Sequence, residues 1–563
     1  MFAQALSGAI DWCVLGSFVL YLFLMLGIGF VFSKKQSDMG DYFLGGRKMN
    51  KWVVALSAQA SDMSGWLLMG LPGALYVGGF SEAWIGIGLG IGTYLNWKIV
   101  AQRLRRYSQI CGDSITIPDF ISNRFRDKTG ASRVVAALII LVFFTFYTAS
   151  GFVSAAKLFS TMFSIQYTTA LWIGAVVVVS YTLLGGYMAV CWTDFIQGSL
   201  MFVAIVLVPA VVICNAGGFA ETVDQLNAIN GNLLNLFTSA ATGKACGFIG
   251  LASCMAWGLG YFGMPHILVR FMSIDNPAEV KGSRRIAMTW VFISLAAATV
   301  LGLVFHLYLK QHGLTLEAVG NDPEKCFMVM INGIFSGGIG ARLFAGILLS
   351  AIMAAIMSTA DSQLLVSASS FTNDLYRRVK KNASNNELVL VSRVAVAAVA
   401  VVAAMMAMNT ESDFFKVVMK MVSFAWAGFG ASFGPLILLA LFWKRVNLAG
   451  AVAGMVTGAV TCFVWKFVLA ANYAESYPIF GLYELAPGFL FSLIVTVVVS
   501  LLTKKPETEI VKEFDKVAGN VSMNEYLAGL RDTMNAVLED NEVSVEEARK
   551  LRAQLDSMPA SQD

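Results

Sequence analysis

Long apolar runs, separated by short charged loops, set the pattern of this chain. A helix that crosses a bilayer needs about 20 apolar residues. The runs predict thirteen such helices, at residues 9–33, 51–78, 82–102, 132–163, 167–184, 189–214, 246–269, 286–309, 340–371, 389–407, 414–443, 447–470 and 485–503. Charge alternates between their ends. Lys and Arg gather after the first span (Lys34, Lys35, Arg47, Lys48) and the third (Arg103, Arg105, Arg106, Arg124, Arg126, Lys128). They recur after the seventh (Lys281, Arg284, Arg285), the ninth (Arg377, Arg378, Lys380, Lys381) and the eleventh (Lys444, Arg445). The alternate loops 1–8, 79–81, 164–166, 408–413 and 471–484 are poor in basic residues. Basic loops stay in the cytoplasm, so the N-terminus is expected outside and the C-terminus inside. That orientation requires an odd number of spans.

Several spans carry polar groups that a plain anchor does not tolerate. Ala60-Ser-Asp-Met-Ser-Gly-Trp66 puts a carboxylate, two hydroxyls and a glycine in the middle of span 2. Lipid offers no partners at that depth, so such a break is buried in protein or lines a cavity. An ionisable residue there is a functional-site hypothesis. Span 7 contains Trp257-Gly-Leu-Gly-Tyr-Phe-Gly-Met-Pro-His266, a Gly/Pro interruption that reads as a second broken helix. Spans 2–6 and 7–11 are then two runs of five, each opening on an interrupted helix. An odd run reverses orientation, which is the pattern of inverted repeats with a site at the midplane.

Span 9 reads Ala355-Ile-Met-Ser-Thr-Ala-Asp-Ser-Gln363. Ala355, Ser358 and Thr359 share one helix face, and Ser358, Asp361 and Ser362 share an adjoining one. Hydroxyls in helices commonly bond back to the i−4 carbonyl, but this concentration of oxygen exceeds what packing needs. Small hard cations take oxygen ligands, and an unwound span 2 supplies free carbonyls from Ala60 and Met63. Asp194, near the start of span 6, is a third acid, either an interfacial cap or an ion-pair partner. Arg47, just before span 2, reads as a loop charge or a gate. Alternate glycines from Gly86 to Gly92 let membrane helices approach closely. The Gly-rich Trp426–Pro435 stretch reads as a flexible gate or a packing seam.

Composition narrows the function. Of 563 residues 57% are hydrophobic and 13% charged, against about 25% charged in soluble domains. The net charge of +4 sits at span ends and gives no nucleic-acid signal. Eight scattered Cys and three dispersed His offer neither a disulfide framework nor a zinc site. No phosphate loop supports ATP drive. No nucleophile–base pair accompanies Asp62, Asp194 and Asp361, so an enzyme is not expected. The N-terminus lacks a basic n-region, so no cleaved signal peptide is expected. Residues 504–563 are charged, and Ser544–Glu547 reads as a capping box opening a short helix to about Leu555.

These motifs carry a resemblance. Ala60 to Gly73, Trp257 to Leu268, Leu44-Gly-Gly-Arg47, Ser358-Thr359 with Gln363-Leu-Leu365, and Ala425 to Gly430 resemble the sodium:solute symporter family, in the form that carries proline. The likeness runs from about residue 38 to 503. It implies an all-α membrane protein with about thirteen helices and a 5+5 inverted-repeat core of the leucine-transporter type. The division expected is 1–45 (an extra helix and first cytoplasmic loop), 46–214 (first repeat) and 215–244 (an extracellular loop). Residues 245–443 then form the second repeat, 444–503 two C-terminal helices and 504–563 an acidic cytoplasmic tail.

The resemblance further implies inward symport of L-proline with sodium at a bacterial plasma membrane, with another small carboxylate, sugar or vitamin as the alternative cargo. No nucleic acid and no obligate protein partner are expected. Sodium ligands are implied to be the carbonyls of Ala60, Met63 and Ala355 and the hydroxyls of Ser358 and Thr359. Asp62 is implied in coupling, and Asp194 on the ion's route to the cytoplasm. Substrate contacts are implied for Ser64, Gly65, Trp66, Tyr147, Trp257, Tyr261, Pro265 and His266. One departure stands out: a small hydroxyl residue is expected where this chain has Asp361. Some relatives use that face for a second sodium, so Asp361, Ser358, Ser362 and Asp194 form a candidate second cation site. The alternative is a protonated or hydrogen-bonded, purely structural Asp361.

Overall fold

The computed structural model describes residues 11–33, 39–184 and 186–518. The described residues are almost wholly helical, and the only extended pairings among them are two isolated bridges. Ten helical stretches are long and apolar enough to cross a membrane, and Tyr167–Leu183 and Phe248–Gly263 are shorter apolar helices. The count of thirteen is not reached by length alone. One continuous stretch, Trp66–Ile110, joins the end of expected span 2 to span 3, and spans 5 and 7 fall in the shorter class.

In chain order the principal helices are α1 (Trp12–Ser33), α2 (Lys51–Asp62), α3 (Leu71–Gly78), α4 (Ala83–Leu95), α5 (Ile117–Arg124), α6 (Ala131–Phe163), α7 (Tyr167–Leu184), α8 (Tyr187–Asn215) and α9 (Phe219–Ile229). They continue with α10 (Phe248–Ala256), α11 (Pro265–Ser273), α12 (Val280–Gln311), α13 (Cys326–Ile334), α14 (Gly338–Ser369), α15 (Asn385–Ala407), α16 (Val418–Phe442), α17 (Leu448–Val464) and α18 (Leu485–Leu502). Residues 1–505 form one body. A separate unit begins at Pro506, of which α19 (Thr508–Ala518) is described. The capping box at 544–547 lies outside the described residues.

Local chemistry explains both interruptions. The Asn50 side chain caps α2 by accepting from the amides of Trp52 and Val53. Helical geometry is lost at Met63 (φ −80°, ψ 71°). The chain then re-enters as a π-turn, Trp66–Gly70. Pro72 has no N–H to give the preceding turn, and the ladder there widens, with the Leu71 amide donating to the Trp66 carbonyl. In the other broken helix, α10 tightens into a 3-10 segment, Trp257–Gly263, and Met264 is extended. Pro265 opens α11 at a position where a missing N–H costs nothing.

α2 is enclosed by α8, α11, α12 and α14, so Ala58 through Asp62 are buried. Glycines set how close the second break sits to its neighbours. A Cβ on Gly92 would lie 2.1 Å from the Gly258 carbonyl oxygen, and one on Gly263 2.3 Å from that of Phe429. Gly92 of α4 and Gly430 of α16 are therefore close-packed against residues 257–263, while Gly88 meets the backbone of Cys254 and Met255 just before them. The same packing holds Trp426 Nε1, which donates to the Trp257 carbonyl at 2.8 Å.

Gly92→Ala is expected to destabilise the fold by about 1–3 kcal/mol or more, as overpacking does. Gly27→Ala, on exposed α1 with open space around it, should be neutral or gain about 0.5–1 kcal/mol. Thermal unfolding of the purified variants in detergent checks both.

Candidate functional site

The break in α2 meets α14 through oxygen atoms. The Ala60 carbonyl accepts from Ser358 Oγ at 2.8 Å and lies 3.5 Å from Thr359 Oγ1. Ser358 Oγ also lies 3.3 Å from the Ala355 carbonyl. Ala60, Ala355 and Ser358 are fully buried and Thr359 nearly so. Oxygens that share one ion at about 2.4 Å are spaced roughly 3–3.5 Å apart. Met63, the remaining expected ligand, stands where α2 ends. The donor set is neutral carbonyls and hydroxyls, which suits a hard monovalent ion. Among the described residues no group of three or more His, Cys, Asp or Glu could hold a metal.

Beside this cluster stands Asp62, also fully buried. One carboxylate oxygen accepts from Tyr261 OH at 2.6 Å, and the other, Oδ1, has no partner in the protein. The Asp62 carbonyl accepts from Trp66 Nε1 at 2.9 Å and Tyr147 OH at 3.4 Å. The Trp66 and Trp257 rings are 6.4 Å apart, and Tyr147 sits edge-on to His266 at 6.5 Å. All eight expected substrate residues thus lie at or beside the two breaks, the side chains of Ser64, Trp66, Tyr147, Trp257, Tyr261 and His266 among them. Pro265 shapes the start of α11. Gly65 serves close packing, since a Cβ there would lie 2.6 Å from Ser154 Oγ. All of these side chains are buried, so a solute reaches them only when helices part.

A second polar centre lies one turn along α14. Asp194 Oδ2 accepts from Ser57 Oγ at 2.7 Å and pairs with Arg270 Nη2 at 3.1 Å. The same guanidinium donates to Ser362 Oγ, and through Nη1 to the His266 carbonyl at 2.9 Å. Ser362 Oγ touches the Ser358 carbonyl (2.9 Å) and Asp361 Oδ1 (3.4 Å). Asp194 Oδ1 and Asp361 Oδ2 have no protein partner. Asp194 is therefore a buried ion-pair member and not an interfacial cap.

Comparison with known proteins decides the family. The sodium:solute symporter family model matches residues 42–458. The chain belongs to the sodium:solute symporter family. This symporter is 46% identical over 499 residues to the high-affinity proline transporter PutP of Bacillus subtilis, covering 88% of this chain and all of that one. It is 45% identical over 507 residues to the sodium/proline symporter of Escherichia coli, covering 90% of this chain and 96% of that one. A sodium-coupled sialic acid symporter, solved substrate-bound and outward-open, superposes with a TM-score of 0.72 at 20% identity. That match covers 88% of this chain and 99% of the other, and it shows a shared fold. The fold is the leucine-transporter type that the family resemblance implies.

The burial of Arg270 and the pairing of Lys157 were not anticipated. Arg270 falls one residue past the expected end of span 7, where a charge reads as interfacial, yet it is 1% exposed. Lys157, inside span 4, pairs with Glu324 at 2.6 Å and Asp322 at 2.8 Å. Glu324 in turn accepts from the amides of Val418 and Met419 at 3.1 Å each, capping α16. A lysine within an apolar span was the available signal. Arg47 is more than a loop charge: it bonds Asp113, Ser108 and the carbonyls of Met272 and Ser114.

Breaking a buried ion pair from one side typically costs about 3–5 kcal/mol. Arg270→Met is expected to destabilise the symporter on that scale, and Asp194→Asn/Arg270→Met to recover part of the loss. The unfolding midpoints of the two purified variants check this; equal losses would mean that the charge pair is not the cause.

Proposed function

We propose that this protein is a sodium/proline symporter of a bacterial plasma membrane, moving L-proline inward with sodium by alternating access. The observation that carries the reading is the convergence of Ala60, Ala355, Ser358 and Thr359 oxygens from two helices 298 residues apart. Relatives about 45% identical over most of the chain that are sodium/proline symporters support the cargo. Sodium sits among those oxygens, with the Met63 carbonyl completing the set. Each Ser358 and Thr359 hydroxyl turns its proton away and offers a lone pair. Asp62 lies beside the ion as a nearby negative charge.

Proline takes the neighbouring space. Its carboxylate faces the start of the helical turn that opens at Trp66, where the first turn of a helix favours an anion. Its ring lies between Trp66, Trp257 and Tyr147, and its ammonium is attracted to aromatic faces. Because Tyr261 touches Asp62 and the Trp66 indole bonds the Asp62 carbonyl, the substrate wall and the ion site share one residue. That shared residue is the route by which filling one site changes the other. The membrane potential contributes about 2.3 kcal/mol per charge per 100 mV, enough for one sodium ion to concentrate a solute.

The two inverted repeats, 46–214 and 245–443, rock around this centre. The N-terminus lies outside and the C-terminus in the cytoplasm, as the basic loops favour. Asp194 and Asp361 stand near the single guanidinium of Arg270, and each keeps one carboxyl oxygen without a protein partner. With Ser358 and Ser362 they form the site of a second cation. A sodium Hill slope near one together with a charge-to-proline ratio of one would leave Asp361 structural.

Uptake of labelled proline into proteoliposomes tests the reading. Uptake should require an inward sodium gradient, vanish in Asp62→Asn, and need about tenfold more sodium in Ser358→Ala, as for loss of one charge-bearing contact of ~1.5 kcal/mol. Sodium-dependent uptake of a different solute would overturn the cargo and keep the coupling.

A further inference from the structure

A cleft of about 820 Å³ opens among the connections between helices. It lies between the 113–133 segment, which runs through α5 to the start of α6, and residues 373–381 that follow α14. Its charged lining is unbalanced. The acids are already engaged. Asp113 pairs with Arg47 at 2.8 Å and Asp119 with Arg133 at 2.5 Å. Asp127 is spent on its own loop, accepting from the amides of Thr129, Gly130 and Ser132 and from two hydroxyls. Burial alone would push the Asp127 carboxyl up; the hydrogen bonds from Thr129 and Ser132 outweigh it and hold the group below its ordinary value, so it remains charged.

Among the described residues Lys128, Arg377 and Lys381 form no direct ion pair with a carboxylate, and Arg377 is also felt by Asp119, which already pairs with Arg133. Lys128, Arg377 and Lys381 line the cleft and are exposed. Arg377 and Lys381 are four residues apart, with Arg378 between them. Arg378 is held by neutral groups alone, donating to the Thr129 and Gly130 carbonyls. Those bonds fix its guanidinium against the loop without cancelling its charge. Gly130 is needed there: a Cβ would lie 2.6 Å from Arg378 Nη1. The lining of the cleft thus carries five cations (Lys128, Arg133, Arg377, Arg378 and Lys381) against three carboxylates (Asp113, Asp119 and Asp127), an excess of two positive charges.

Apolar side chains stand beside them. Val379 is 89% exposed between Arg378 and Lys380, and Phe371 at the end of α14 is also exposed. Exposed apolar side chains amid basic ones suit the boundary between acyl chains and headgroups. Basic pockets between the ends of membrane helices take phosphate-bearing headgroups, and each Lys or Arg near an anionic surface adds about 1 kcal/mol.

We propose that this cleft binds the phosphate diester of an anionic phospholipid from the adjoining leaflet, joining the 127–133 loop to residues 373–381. Arg378 and Gly130 already bring these segments together, 248 residues apart in the chain. A bound phosphate adds bridges from Lys128 on one side and from Arg377 and Lys381 on the other.

The test titrates purified full-length protein in detergent with phosphatidylglycerol, phosphatidylcholine or inorganic phosphate, reading thermal unfolding and bound lipid by native mass spectrometry. Phosphatidylglycerol should raise the midpoint saturably, and phosphatidylcholine should not. Arg377→Gln/Lys381→Gln should weaken that effect by about fivefold for each cation removed, and Lys128→Gln by about fivefold alone. Proline uptake by these variants in phosphatidylcholine vesicles should match the unmodified protein, which separates lost lipid binding from misfolding. Equal phosphatidylglycerol binding by all variants overturns the site. Displacement of the lipid by inorganic phosphate overturns the leaflet as the source of the anion.

Discussion

A backbone carbonyl freed from its helix inside a membrane has to find another partner, because lipid supplies none. Here the Ala60 carbonyl finds the hydroxyls of Ser358 and Thr359. The rest of the centre follows from that contact. It ties the first broken helix to α14, it places Asp62 beside the second break, and it gathers hard oxygen atoms where water is excluded. Hydroxyls are suited to the role because each can donate to the carbonyl or turn to present a lone pair to a cation. A carboxylate in their place would hold an ion more tightly and release it more slowly.

Charge is handled sparingly around this point. Asp62 is balanced by one hydroxyl bond from Tyr261, with its other oxygen open. Asp194 is balanced by Arg270, whose guanidinium also reaches Ser362 and the His266 carbonyl. Arg270 therefore spans α8, α11 and α14 from one side chain. Any motion of α11 against α14 changes its bonds, so the pair is placed to register the state of the second broken helix. Glu324 acts similarly at the start of α16, where one carboxylate joins Lys157 to two amides.

Much of this was legible in the sequence. The break at Ala60–Trp66 was visible because hydroxyls, a carboxylate and glycine stood inside an apolar run. The second break was visible from Gly and Pro. The pairing of Ser358 and Thr359 on one face followed from helical spacing, and their meeting with Ala60 from the family resemblance. Arg270 was missed because it sits at a span boundary, where sequence gives no measure of burial. The gate or seam reading of Trp426–Pro435 stayed open for a related reason. Glycine permits both close approach and flexibility. Packing is favoured only by the backbone contact itself, so close that a Cβ on Gly263 would lie 2.3 Å from the Phe429 carbonyl oxygen. The helix count was blurred where α3 runs into α4 through the helical turn Gly79–Glu82, with no break in the helical stretch. The long-range partners of Lys157 lay in a loop that carries no periodic signal.

The central claim is that the transported ion sits at the break of α2. Direct binding of radioactive sodium to purified protein, in a scintillation proximity format without substrate, tests it most closely. Ser358→Ala/Thr359→Ala should lose saturable binding at concentrations that fill the unmodified protein, while Ser199→Ala, on the exposed face of α8, should retain it. Full saturable binding by the double variant, with unchanged affinity, would contradict the placement of the ion.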